Sequence, residues 1–390
     1  MKPLAVASCW QVPNYGSVLQ AYATQAALDS LGVPNETLWY EPERSLPERL
    51  RRLRLDPARV GRRLARAADS AREARLGHGA AAGRAARAEA LGKFAREYLR
   101  LSPRLCGRAA LEGAVPGYGA FLSGSDQLWH PANYPDGFYT LDFVPEEVPK
   151  LAWAASFGVG RLSVRQRRTA ARFLRRFDWI SAREESGRAL IGELSGREVP
   201  LAADPVLLLP PGKWRVLEKP APLPAGGYLL CYFLGRNPAH REFAARLREA
   251  SGLPVAALPH LDGAVSADRG YADIPLYGLS PGEFLSLVDG AACVFTDSYH
   301  CTAFSALLGT RFYLFDRFLS GARGSTNTRL DTLLPLLGLE DRRISSGAFA
   351  AGPPGPLPAG PLPAGTPARL EALRERSLEL LRGALEGAGM

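Results

Sequence analysis

The sequence predicts an α/β chain of two folded units, the first interrupted by a helical insertion. Three observations carry this reading. The 390 residues exceed one ordinary domain. Short apolar runs rich in strand-forming residues alternate with segments of helical period. Polar clusters recur where such a run passes into a helix, and that is where ligands collect in open α/β sheets. A hydrophobic fraction of 46% with 22% charged residues is that of a soluble chain with a sizeable core.

Residues 4–10 read as a buried first strand. The apolar stretch from Met1 to Trp10 is too short to cross a bilayer and has no cleavage pattern behind it, which points to a cytoplasmic protein. A loop at 11–16 leads into a helix over 17–31 with Val18, Leu19, Tyr22, Ala26, Leu28 and Leu31 on its apolar positions and Gly32 as its stop. A second strand follows at 37–40. The opening lacks Gly-x-Gly-x-x-Gly, so a dinucleotide site has little support.

Residues 43–101 turn Arg- and Ala-rich and helical. Leu50, Leu53, Leu55, Val60 and Leu64 form a weak apolar face, Leu91, Phe94, Tyr98 and Leu101 a clearer one, with a Gly/Ala joint near 77–83. Between Arg44 and Arg108 there are 18 basic and 6 acidic residues, a net of +12 against +9 for the whole chain. The basic face suits an acidic glycan, an anionic lipid or an anionic membrane surface, which would make the protein membrane-peripheral; a plain solvated face is the better-weighted reading. Of 48 basic residues only five are Lys, a bias that reflects coding composition as much as phosphate contacts, so no nucleic-acid partner is inferred.

Strands are then expected ending at Leu122 and over 151–157, 179–182 and 199–205, with helices at 163–177 and 186–194. Residues 210–227 have the Pro/Gly composition of a linker. A second α/β unit follows, with strands at 228–234, 255–258, 293–296 and 311–315, helices at 238–250, 281–289, after His300 and at 329–337, and a surface loop at 265–273. The expected organisation is a first domain at 1–209 carrying the insertion, a linker at 210–227, a second domain at 228–345, a Pro/Gly-rich linker at 346–367, and a helix within 368–390 that returns to the first domain.

The stretch Thr296-Asp297-Ser298-Tyr299-His300 falls at a strand-to-helix junction suited to an anion. A helix N-terminus disfavours a cation, so His300 is expected to be neutral in the empty site and to become a proton donor once a phosphate binds. The blander reading is a cap by Asp297 or Ser298 with His300 half-buried beside it. The five cysteines lack metal or disulfide spacing and read as reduced and mostly buried; Cys301 has a minor claim as a nucleophile. No metal-ligand cluster is visible.

Taken together the chain resembles the polysaccharide pyruvyl transferase family. The resemblance is carried by Asn14-Tyr15-Gly16-Ser17-Val18-Leu19-Gln20-Ala21, Gly124-Ser125-Asp126-Gln127-Leu128-Trp129, Ala154-Ala155-Ser156-Phe157-Gly158, Ser181-Ala182-Arg183-Glu184 with Ala203-Asp204-Pro205, Thr296-Asp297-Ser298-Tyr299-His300, and Asn327-Thr328-Arg329-Leu330. Ser17 departs from the Asp common in the family, and Tyr299 from its commoner Phe. The resemblance implies two Rossmann-like domains in a glycosyltransferase-B-like arrangement. It also implies transfer of the pyruvyl group of phosphoenolpyruvate onto two hydroxyls of a saccharide or lipid-linked glycan as a ketal, with no cofactor beyond that donor, in cell-surface polysaccharide biosynthesis.

That chemistry needs an acid, a base and an anion clamp. On this reading His300 is the general acid and Asp126 the base for the acceptor hydroxyl, with an Asx-turn or cap as the rival account of Asp126. Arg183 is the clamp for phosphate or carboxylate, oriented by Glu184, with an ion pair between domains as an equal alternative. Ser298 and the N–H groups after it hold phosphate beside Tyr299, Arg329 is a second anion contact, and Asn14 and Gly16 face the cleft from the first domain. Two other readings stay open: a glycosyltransferase with a nucleotide-sugar donor, and a non-catalytic glycan- or membrane-binding protein.

Overall fold

A computed structural model of the chain describes residues 2–43, 61, 79–223, 227–260, 265–317, 327–344 and 360–390. The chain divides into two compact units. Unit 1 comprises 1–62, 94–209 and 372–390; unit 2 comprises 63–93 and 210–371. The first apolar face of the insertion, its Gly/Ala joint up to residue 78 and most of the Pro/Gly-rich tract lie outside the described residues.

Unit 1 begins with β1 (Leu4–Ala7), α1 (Tyr15–Ser30), β2 (Asn35–Thr37) and β3 (Tyr40–Glu41). After α2 (Gly79–Tyr98) come β4 (Leu105–Cys106), α3 (Gly107–Ala114), β5 (Ala120–Ser123), β6 (Lys150–Ala155), α4 (Val164–Leu174), β7 (Trp179–Ala182) and α5 (Glu185–Ser195). Five strands form one parallel sheet in the order β2-β1-β5-β6-β7. Their side chains are buried almost throughout, as a sheet covered on both faces requires. One face packs Phe121, Trp129, Phe143, Phe173 and Phe177 into an aromatic core. The strand order reverses between β1 and β5, so the loops leaving their carboxyl ends bound a crevice.

β6 is not regular. Its pairing with β7 shifts register between Ala152 and Ala155, and Ala154 sits at φ +45°. Two serines pin this bulge: Ala154 N donates to Ser181 Oγ (2.8 Å), and Ser125 Oγ donates to Ala154 O (2.9 Å). The predicted strand at 199–205 reduces to a single bridge between Leu201 and Ala182. Pro200 and Pro205 lack the N–H a ladder needs, and Asp204 instead caps a short turn by accepting from Val206 N (3.1 Å).

Unit 2 contains α6 (Pro211–Arg215), β8 (Leu229–Tyr232), α7 (Pro238–Ser251), β9 (Val255–Ala257), β10 (Ile274–Pro275), α8 (Pro281–Asp289), β11 (Cys293–Thr296), α9 (Tyr299–Leu308), β12 (Phe312–Phe315), α10 (Thr328–Leu337), β13 (Arg343–Ile344) and the start of α11 (Thr366–Gly387), whose residues from 372 belong to unit 1. Its parallel sheet runs β10-β9-β8-β11-β12-β13, a doubly wound order whose reversal falls between β8 and β11.

Three expectations change here. Residues 210–227 are not simply a linker, because α6 carries Trp214, fully buried and edge-on to Phe304 at 4.8 Å, with Arg215 paired to Asp289 at 2.9 Å. A single buried indole offers enough apolar area to fix a short Pro-started helix. The loop at 265–273 contributes Tyr271 to the core and Asp268 to the buried Arg241 (2.7 Å), so it is more than surface. The insertion is not wholly part of the first domain: residues 79–93 cluster with unit 2, where Gly83 lies against the Tyr277 ring and Arg87 donates to Pro259 O (3.3 Å). Phe94 and Tyr98 of the same helix belong to unit 1 and stack at 4.5 Å beside Tyr22. α11 is divided similarly: Thr366 donates to Leu337 O in unit 2, and Ser377 accepts from Ala203 N (3.0 Å) in unit 1. Among the described residues no helix is long and apolar enough to cross a membrane.

Candidate functional sites at the switch point of each unit

In unit 2 the turn after β11 is held by its own polar side chains. Thr296 Oγ1 donates to Tyr232 O (2.7 Å) and accepts from Ser298 N (3.0 Å). Ser298 caps α9, its Oγ accepting from Cys301 N (3.4 Å). Asp297 is buried and spans the crevice: its two carboxylate oxygens accept from Leu234 N and Gly235 N in the loop after β8, both at 2.7 Å. Position 235 requires glycine, because a Cβ there would stand 2.6 Å from Asp297 Oδ2. Arg317, just beyond β12, donates through an NH2 group to Asp297 O (2.9 Å), with Nε 3.6 Å from Asp297 Oδ1.

His300 lies in the first turn of α9, nearly buried and edge-on to Tyr299 at 5.3 Å. The Arg329 guanidinium, from the first turn of α10, sits 5.7 Å above the same Tyr299 ring, a cation–π contact that positions it. Ser298, Tyr299, His300 and Arg329 thus form one cluster. The Cys301 thiol is fully buried, and burial pushes its pKa up to about 12, which removes its claim as a nucleophile.

In unit 1 the polar groups surround one guanidinium. Arg183, at the end of β7 with its side chain 1% exposed, donates to Asp204 Oδ2 (2.6 Å) and lies 3.6 Å from both Glu184 Oε2 and Asp126 Oδ1. The Ser125 hydroxyl, whose one proton is shared with Ala154 O, lies 3.1 Å from Asp204 Oδ2, and Glu184 accepts from Ser156 Oγ (2.8 Å). Arg183 is therefore engaged with three carboxylates of its own unit. That geometry disfavours it as the clamp for an external anion, since an incoming phosphate would have to displace a buried carboxylate.

Asp126 is the least buried of the three. It follows β5 at φ +74°, a left-handed conformation that a residue other than glycine adopts at a cost. Oδ1 accepts from Gln127 N (2.8 Å); Oδ2 accepts from Ser17 Oγ (3.0 Å) and Cys9 Sγ (3.5 Å). Burial, reinforced by the Asp126 charge, holds the Cys9 thiol well above its ordinary pKa, so it stays a neutral donor. Asn14 caps α1 by accepting from Gly16 N (2.8 Å), which orients the helix turn carrying Ser17. A carboxylate at position 17 would face Asp126 directly; the serine there donates to it instead.

Sequence reasoning assigned roles to Asp126, Arg183 and Glu184; it named Ser125, Ser156, Ser17 and Asp204 in the motifs without giving them one, and it passed over Arg317 and Gly235. Asp204 and Arg317 carry the signal used for Arg183, a charged group at the carboxyl end of a strand. Among the described residues no group of three His, Cys, Asp or Glu side chains is arranged to hold a metal ion.

The fold of the two units is of the glycosyltransferase-B-like class. A UDP-N-acetylglucosamine 2-epimerase from Rickettsia bellii shares it with a TM-score of 0.54 at 10% identity, over 100% of this chain and 97% of that one. The corresponding 2-epimerase from Methanocaldococcus jannaschii superposes with a TM-score of 0.50 at 9% identity, over 97% and 93% of the two chains. The profile of the polysaccharide pyruvyl transferase family matches residues 14–317, and the chain belongs to that family. No curated protein sequence matches the chain.

Proposed function

We propose that the protein transfers the pyruvyl group of phosphoenolpyruvate onto two hydroxyls of a saccharide. The reaction forms a cyclic ketal and releases phosphate. The observation that carries this reading is the clustering of an imidazole and a guanidinium about one ring at the carboxyl end of β11, His300 at 5.3 Å and Arg329 at 5.7 Å from the centre of Tyr299, in a member of this family.

Each step draws on a named group. His300 protonates the methylene carbon of the donor, which becomes the ketal methyl group, and the adjacent carbon takes on oxocarbenium character. Arg329 and the capped turn at Ser298 offset the negative charge of the donor while its C–O bond to phosphate breaks. Asp126 accepts the proton of an attacking hydroxyl; its bonds from Ser17 and Cys9 aim the carboxylate. Phosphate leaves with the second hydroxyl proton as the ring closes. The donor itself supplies the carbon unit, so the reaction calls for no cofactor. We place it in the cytoplasm on a lipid-linked or nucleotide-linked glycan precursor, with the Arg-rich insertion as the segment that would meet an acidic glycan or membrane surface.

Calorimetric titration with phosphoenolpyruvate, followed by phosphate-release assays across a glycan panel, tests the reading. Saturable donor binding with turnover on at least one glycan is the expected result. Saturation by a nucleotide sugar, with none by phosphoenolpyruvate, would replace it with a glycosyltransferase. Glycan binding without turnover of either donor would leave a binding protein.

A further inference from the structure

Arg183 is buried among carboxylates, yet the donor proposed above carries a phosphate and a carboxylate that need fixed cations. We infer that Arg317 supplies the phosphate contact, at the same Thr296–His300 turn that Arg329 meets through Tyr299. This assignment rests on the reading of the unit 2 crevice as the donor site.

Three features point to Arg317. It stands just beyond the carboxyl end of β12, beside β11 at the strand reversal where ligands of such sheets bind. Its guanidinium is fixed by one strong bond, NH2 to Asp297 O at 2.9 Å, and its side chain stays 19% exposed, against 1% for Arg183. Its hydrogen-bonding capacity is also incompletely used. The Asp297 carboxylate already accepts two backbone N–H groups at 2.7 Å, so the ion pair to Arg317 Nε is left at 3.6 Å, and among the described residues that buried Nε makes no hydrogen bond.

Asp297 is thus a positioning residue. It ties the loops after β8 and β11 together through its carboxylate, and it aims Arg317 through its carbonyl, with one carboxylate near that guanidinium where Arg183 has three. Glycine at 235 belongs to the same device: a Cβ there would crowd both Asp297 Oδ2 and Arg317 Cγ, at 2.6 and 3.0 Å. Arg317 at Asp297 and Arg329 at Tyr299 would both contact a donor whose methylene carbon His300 protonates.

The test is calorimetry on the full chain with three probes: inorganic phosphate, phosphoenolpyruvate and UDP. Arg317→Ala is expected to weaken phosphate and phosphoenolpyruvate by about 10- to 100-fold, the scale of one charge-assisted contact, and to make the salt dependence of binding shallower. Arg317→Lys, which keeps the charge but loses the fork, should fall between. A purely structural role would lower the melting temperature of the empty protein and leave its rise on adding phosphoenolpyruvate unchanged, and that pattern overturns the assignment. So does an Arg317→Ala protein that binds within twofold of wild type, or a wild-type chain that binds none of the three probes. Binding of UDP but not phosphoenolpyruvate, weakened by Arg317→Ala, keeps Arg317 as a phosphate contact and overturns the donor instead.

Discussion

The two units carry crevices of the same topology with different charge patterns. At the reversal in unit 1, three carboxylates surround one guanidinium, a net of two negative charges when all are ionised. At the reversal in unit 2, two guanidiniums meet a turn whose one carboxylate is tied to backbone amides. The crevices also differ in how they are held. Among the described residues all three non-glycine positions with positive φ, Asp126, Leu141 and Ala154, lie in unit 1, whereas unit 2 uses hydrogen-bonded turns and a close-packed glycine. One topology can therefore carry clustered carboxylates in one copy and paired guanidiniums in the other, according to which charges the strand ends carry.

The sharpest way to break this contrast is to remove one group from each crevice. His300→Ala should lower turnover by about 10²- to 10⁴-fold with donor affinity within a few-fold of wild type. Asp126→Asn keeps a residue that tolerates the left-handed conformation and should produce a loss on the same scale without touching donor affinity. Steady-state rates paired with calorimetry separate the two effects. Loss of phosphoenolpyruvate binding in the Asp126→Asn protein would sink the division of labour between the units.

Arg183→Ala comes next. It strands buried carboxylates, so unit 1 should lose about 3–5 kcal/mol of stability, read by urea unfolding. Donor affinity of the folded fraction should be unchanged. A large loss of phosphoenolpyruvate affinity at undiminished stability would restore Arg183 as the clamp.

Acid should act on unit 2 through His240. Its ring is buried between Phe233 and Phe315, and burial holds its pKa down at about 4, against an ordinary 6.5. The unfolded chain thus binds more protons than the folded one between these values. The stabilisation is fully present above pH 6.5 and is lost as pH falls towards 4, by up to about 3 kcal/mol. Amide exchange followed by mass spectrometry at pH 5 and 7 would show the unit 2 core opening more readily at the lower pH. His240→Gln should flatten that difference; an unchanged difference would show that other groups set it.

Much of the framework was legible because periodicity and capping are local. The spacing of Ser280 and Glu283 marks the start of α8, and both bonds of that capping box form. The junction at Thr296–His300 was readable for the same reason: strand, cap and helix lie within one short stretch. What escaped was set by contacts distant in sequence. Nothing local distinguishes an Arg183 offered to a ligand from one enclosed by Asp204 and Asp126, 21 residues ahead and 57 behind in the chain. Pro-rich composition concealed the packed Trp214, and an Ala/Arg-rich helix gave no sign that it would be divided between the units.

The smallest expected effect concerns the strain that sets unit 1 apart. In a regular strand Ala→Gly loses a buried methyl group, roughly 0.8 kcal/mol, and adds backbone entropy to the unfolded chain, roughly 0.5–1 kcal/mol. Ala152, regular and fully buried in β6, should therefore cost about 1–2 kcal/mol when changed to glycine. Ala154 has the same burial but sits at φ +45°, where an alanine already carries about 1–2 kcal/mol of left-handed strain that glycine would release. Ala154→Gly should accordingly leave stability within about 0.5 kcal/mol of wild type. The bulge held by Ser125 and Ser181 should also loosen, and with it the aim of Asp126, which bridges Ala155. The expected signature is unchanged urea stability with reduced turnover. Equal destabilisation by the two glycines would mean that the bulge stores no strain and that Asp126 is held by its hydrogen bonds alone.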